Sequence, residues 1–118
     1  MKLQALRGAI TCLDNSVEEI EKAVVELISN LITRNKLKKS QIISITFSVT
    51  KDLDACFPAS TARKHFGWEE IALLDCQQMN VKKDLEKCIR ILAHVWLEDN
   101  QSPIHPYLGK ANSLRPDR

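Results

Sequence analysis

The chain has 118 residues, 44% hydrophobic and 27% charged, a composition that excludes disorder; folding can bury roughly 65% of the unfolded surface without a disulfide or metal staple. Seventeen Lys and Arg against fifteen Asp and Glu leave +2, too balanced for a dedicated nucleic-acid binder. No apolar run approaches the roughly 18 residues of a membrane span, and MKLQALRGAITCL lacks the h-region and cleavage site of a signal peptide, so a cytoplasmic location is expected.

Residues 2 to 13 read as a strand with Leu3, Ala5, Arg7 and Ala9 on one face and Leu6, Ile10 and Cys12 on the other. Ser16 with Glu19 is a capping box that opens a helix, and Val17, Ile20, Val24, Leu27, Ile28 and Leu31 give it an apolar stripe as far as Asn35. Residues 42 to 49 alternate, with Ile43, Ile45, Phe47 and Val49 on one side and Ser44, Thr46 and Ser48 on the other. Pro58 suits the first turn of a short helix through Phe66, which Gly67 ends. Residues 68 to 76 read as a third strand, 77 to 87 as a polar turn, and 88 to 97 as the most apolar strand. Its faces are Ile89, Ile91, Ala93, Val95, Leu97 and Cys88, Arg90, Leu92, His94, Trp96. The tail from Asn100 is loop, with 107 to 114 read as a short edge strand.

This order predicts an α+β domain over residues 1 to 118, a mixed sheet with one long helix on one face. One helix covers one face only, yet the last long strand carries Leu92 and Trp96 on the other. That face needs a partner, and the simplest is another copy of the chain.

Cys12, Cys56, Cys76 and Cys88 are scattered, with no C-x-x-C and no zinc-finger spacing, and read as reduced, mostly buried thiols. Three glycines cannot write a Walker loop or a dinucleotide fingerprint. Arg7 and Arg90 each sit mid-strand among apolar neighbours, where a lone cation is expensive to desolvate unless an anion meets it. On local pattern alone, a structural ion pair or a buried stem with its head in water accounts for them equally well.

LRGAIT (6–11), FSVTKDLDACFPASTAR (47–63), GW (67–68), CQQM (76–79), CIRIL (88–92) and YLGKANSLRPD (107–117) together resemble the monofunctional AroH-type chorismate mutases, nearly end to end and in the same order. The resemblance implies a homotrimeric pseudo-α/β-barrel with active sites between chains. It implies rearrangement of chorismate to prephenate in phenylalanine and tyrosine biosynthesis, with no cofactor and no metal, while the charge balance and the absence of a long apolar run lead to the expectation of no nucleic acid and no membrane as partner. Carried over by position, Arg90 meets the ether oxygen and the side-chain carboxylate, and Arg7 stands beside it. Tyr107 meets the same carboxylate, Phe57, Ala59 and Leu114 are apolar walls, and Arg63 and Arg115 are cations at the cleft mouth. Cys88 is a small residue beneath Arg90.

The sequence also departs from that family. Gln78 stands where a glutamate is usual, Asp75 where a cysteine is, Ser60 where a lysine is often found, and the Gly-rich turn before CIR reads Lys82-Lys83-Asp84. The expectation is that Asp75 supplies the missing anion to the arginines, with Gln78 giving a neutral hydrogen bond. A non-catalytic trimeric module binding a small carboxylate metabolite is the competing reading. An RNA-binding α+β domain would need aromatics alternating with basic residues on an exposed strand, which CIRILAHVWL lacks.

Overall fold

The computed structural model describes residues 1–114. Strand β1 (Lys2–Thr11) leads into helix α1 (Val17–Asn35), followed by β2 (Ile42–Val49), helix α2 (Pro58–Phe66), β3 (Ala72–Gln77) and β4 (Cys88–Leu97). The sheet order is β1-β4-β2-β3. β4 runs antiparallel to both neighbours, and β2 and β3 run parallel, so the sheet is mixed as expected. No helix of the described residues is long and apolar enough to cross a membrane.

The helices begin and end where local chemistry says they should. Ser16 Oγ accepts from the Glu19 amide, 3.1 Å away, and Pro58 occupies the first turn of α2. Gly67 closes α2 with φ near 65°, a conformation that costs glycine little. The stripe Ile20, Val24, Leu27, Ile28 and Leu31 is fully buried against Leu6 and Ile10 of β1, Ile45 and Phe47 of β2, and Ile89, Ile91, Ala93, Val95 and Leu97 of β4. All five inward residues of β4 predicted from alternation are in this core.

Three sequence expectations change. The pairing of β2 with β4 shifts between Ile42 and Ser44. This bulge turns Ile42 inward and leaves Ile43 41% exposed, because one extra residue reverses the alternation. The third strand begins at Ala72 rather than Trp68, since Trp68 is drawn into the core, its ring 5.5 Å from that of Phe66. Residues 107 to 114 are not an edge strand. Tyr107 makes a single parallel bridge with Ala9, and Gly109–Leu114 wind into a 3₁₀ helix.

The tail is nevertheless tied down. Asn35 is completely buried at the end of α1, and its side chain bonds both the amide and the carbonyl of Ile104 at 2.8 Å. From there the chain runs along the outer edge of β1. The Arg7 amide donates to His105 Nδ1 (2.9 Å), the Ala9 amide to the Pro106 carbonyl (2.9 Å), and the Leu108 amide to the Ala9 carbonyl (2.8 Å).

Gly8 permits this approach: a Cβ there would lie 2.6 Å from the Pro106 carbonyl oxygen. That oxygen is backbone and already bonded to Ala9, so it cannot step aside cheaply. Gly8→Ala should therefore cost about 1–3 kcal/mol of stability, in the range of overpacking a filled site. Denaturant titration checks this, and a parental midpoint would remove the close approach as the reason for glycine.

Candidate functional site

Arg7 and Arg90 meet across one face of the sheet. Paired residues in a sheet share a face, so Ala9, Arg90, Ser48 and Cys76 form one row, and Arg7, Leu92, Thr46 and Leu74 the next. The arginines are diagonal neighbours on the face opposite α1. They line a cleft of about 420 Å³ together with Gly8, Thr46, Ser48, Tyr107 and Leu114. The bridge from Ala9 delivers Tyr107 and the 3₁₀ helix delivers Leu114, so four of the expected residues converge.

Arg90 is held from one side only. Its Nη2 lies 3.4 Å from Asp84 Oδ1, both side chains being about three-quarters buried. Its Nη1 is buried and has no hydrogen-bond partner among the described residues. A desolvated, unpartnered cationic donor beside a cleft is a site for an anion or a strong acceptor. Beside it on the same strand face, burial pushes the Cys88 thiol up despite the opposing pull of Arg90, so the thiol is neutral and supplies no counter-charge. Gln78 joins through β2: Ser48, beside Arg90 in its row, donates its hydroxyl to Gln78 Oε1 at 2.9 Å.

The remaining expected residues gather elsewhere. Asp75 is paired with Phe47, whose side chain is in the core, so its carboxylate is on the α1 and α2 side of the sheet. There it accepts from the Ala59 amide at 3.1 Å and faces Arg63. Phe57, Ser60 and Asp75 line a second hollow of about 600 Å³. Phe57 is exposed, Ala59 buried, and Arg63 bonds Ser60 Oγ at 3.3 Å. Arg115 lies outside the described residues.

Within one chain, then, Asp75 does not reach Arg7 or Arg90. The sheet itself stands between them, and the carboxylate that touches Arg90 is Asp84. Sequence reasoning left Asp84 in a polar turn. The turn's shape rests on left-handed backbone at Lys83 and Lys87, which carries no glycine signal. Thr46 and Ser48 had been legible as a small polar face, though not as the floor beside Arg90. Of the four thiols, Cys12 and Cys88 are buried, but Cys56 is half-buried and Cys76 exposed. Burial pushes the Cys12 thiol up to about 12.

Arg7 and Arg90 thus share a cleft on the sheet face opposite α1. Comparison with known proteins is more specific. The family model described as chorismate mutase type I matches residues 3–118. The sequence is 36% identical to chorismate mutase AroH of Bacillus subtilis (strain 168) over 118 residues, 99% of this chain and 93% of that one. It is 35% identical to chorismate mutase AroH of Thermus thermophilus, covering 98% and 95% of the two chains. The fold is similar to the solved chorismate mutase from Clostridium thermocellum, with TM-score 0.88 and 42% identity over 93% of this chain and 98% of that one. The chain belongs to the type I chorismate mutase family.

Asp75 has an electrostatic consequence that can be measured. Burial pushes its carboxyl above the ordinary 3.8, an effect only partly offset by the Ala59 amide and Arg63. The folded state thus binds this proton more tightly than the unfolded state, and stability falls as pH rises from 3.8 through the folded value. Asp75→Asn removes the desolvated charge and keeps an oxygen for the Ala59 amide. In the isolated chain it should melt above the parent at pH 7, with the gain disappearing below pH 3.8, where the carboxyl is neutral in both states. Thermal melts across pH check this, and a variant no more stable at pH 7 would overturn it.

Proposed function

We propose that the chain rearranges chorismate to prephenate in aromatic amino acid biosynthesis, acting as an isomerase through conformer selection and arginine stabilisation. The observation that carries the mechanism is Arg90: a guanidinium fixed on a central strand, with a buried donor unpartnered among the described residues beside a cleft that Arg7 also lines. The reaction is a pericyclic [3,3] shift, so no nucleophile and no obligatory general base take part. Chorismate is a dianion whose enolpyruvyl carbon must fold over the ring. Two tasks fall to the protein: holding that compact conformer, and stabilising negative charge on the ether oxygen as the C–O bond breaks ahead of C–C formation. Arg90 does the second. Arg7 and Tyr107 hold the carboxylate, because a guanidinium stays charged and presents a planar fork.

The working unit in this reading is a homotrimer with the sheets facing inward as a pseudo-barrel. Two features support it. Leu92 and Trp96 are 37% and 40% exposed on the face that neither α1 nor α2 covers, with Leu3 and Leu74 exposed beside them. The site residues also fall into two groups on opposite faces of the sheet. A cleft between copies joins them: Arg7, Arg90, Gln78, Tyr107 and Leu114 from one chain, and Phe57, Ala59, Arg63 and Asp75 from the next. Asp75 then contributes its anion across the interface.

Arg90→Ala should lose most activity while remaining folded, since removing a preorganised donor costs about 3–4 kcal/mol of transition-state stabilisation. Arg90→Lys should also be poor, because a point charge cannot reproduce the fork. Prephenate formation by purified protein checks both, and an Arg90→Ala enzyme within about tenfold of the parent would sink the mechanism. If the parent itself binds but does not convert chorismate, the carboxylate-binding module is the better reading.

The assembly has its own check. Leu92→Asp places a charge in the middle of the uncovered face and should release monomers and abolish activity together. Analytical ultracentrifugation that finds an active monomer would refute both the interface and the shared cleft.

A further inference from the structure

We propose that Asp84 is the positioning carboxylate of Arg90 in this chain. It does the work expected of an acid at position 78, from a different loop. Among the described residues Asp84 is the acid within ion-pair distance of Arg90, and it touches Nη2 alone, at 3.4 Å. The same Oδ1 accepts from the Leu85 amide at 2.8 Å, which fixes the carboxylate to the backbone of its turn. The turn is anchored in its own right. The Asp84 amide bonds the Val81 carbonyl, and Asp52 grips the Lys87 amide with both oxygens at 2.9 and 3.1 Å. Asp52 is thereby occupied, Cys88 is neutral, Gln78 is uncharged and held by Ser48, and Asp75 of the same chain lies across the sheet.

The geometry divides the guanidinium. A bidentate carboxylate would take both terminal nitrogens and neutralise the group. A single contact at Nη2 draws the group to one side and leaves Nη1 for the reacting oxygen. Gln78 explains why the anion can change loops. Its side chain is bonded to Ser48, the cross-strand neighbour of Arg90, so positions 78 and 84 both stand near the same guanidinium. Where the family is expected to have a glutamate and a glycine-rich turn, this chain has Gln78 and Asp84. The pair is an exchange of charge between two positions.

This proposal rests on Arg90 being the group that meets the ether oxygen, and the test keeps the two ideas separable. Full-length protein carrying Asp84→Ala, Asp84→Asn, or Asp84→Ala with Gln78→Glu is assayed on chorismate beside Arg90→Ala, with thermal melts of each. Asp84→Ala should lower kcat by roughly 10- to 100-fold, since misplacing a catalytic group by about 1 Å already costs on the order of 100-fold. KM should stay level or fall, because a negative charge near a dianionic substrate has gone. Adding Gln78→Glu should return kcat to within about threefold of the parent. That rescue separates the two roles, because a glutamate at 78 cannot restore the lost cap on the Leu85 amide. Should Asp84→Ala unfold, Asp84→Asn carries the test, since it keeps an oxygen for that amide and removes only the charge. Parental kcat in Asp84→Asn, or a double variant as slow as a folded Asp84→Ala, overturns the role of Asp84 while an inactive Arg90→Ala leaves the mechanism standing. An active Arg90→Ala strikes the mechanism instead.

Discussion

A guanidinium in the middle of a four-stranded sheet is the constraint on which the rest of this molecule depends. β4 pairs on both sides, so Arg90 has strand neighbours left and right and no edge through which to reach water. The neighbours in its row are Ala9 and Ser48, both small, which leaves room for the planar head to lie over the sheet. Register is equally binding. Strand side chains alternate, and a slip by one residue would drive Arg90 into the core beneath α1 and bring Ile89 and Ile91 out. The apolar burial that holds β4 in place is thus the same interaction that aims Arg90, and the fold cannot be kept while the cation is lost to the wrong face.

Much of this was legible because its causes are local. Ser16 with Glu19, Pro58 and Gly67 mark helix ends by chemistry that acts within four residues, and the boundaries of α1 and α2 follow. The two faces of β4 follow from strict alternation. What the sequence concealed depends on contacts made at a distance. The bulge that turns Ile42 inward appears only when β2 is laid against β4. Trp68 leaves the strand pattern because the core has a place for its ring beside Phe66. Tyr107 makes one bridge rather than a strand because the chain that follows turns into a helix at Gly109, where φ is near 59°.

The placing of Asp75 is more instructive, since the signal was available. Asp75 and Gln78 are three residues apart on an extended run, and an odd separation reverses the face. Proximity in sequence argued for one face of the sheet; parity argues for two. The structure bears out parity: Asp75 faces Ala59 and Arg63, and Gln78 reaches Ser48 and the row of Arg90. Asp84 could not be found this way. Six residues before Arg90, on a turn shaped by Lys83 and Lys87 in left-handed conformations, it meets the guanidinium by a path that no periodicity describes.

Rigid support for such a site comes from backbone rather than from long side chains. Ala9 is completely buried, and while it packs against Cys88 and Ala111 its amide and carbonyl hold Pro106 and Leu108. Tyr107, between them, has no freedom to drift from the arginine face. Lys110 donates its amide to Thr11 Oγ1 at 3.1 Å, which fixes the start of the 3₁₀ helix that carries Leu114. Gly8 lets the whole segment lie close enough for these bonds to form. A reaction that needs a compact conformer and a fixed charge, with no bond made to the protein, depends on walls that do not yield. Main-chain hydrogen bonds to a strand already paired on its other edge supply such walls. They lose no side-chain entropy, and they tie the tail to the same register that places Arg90.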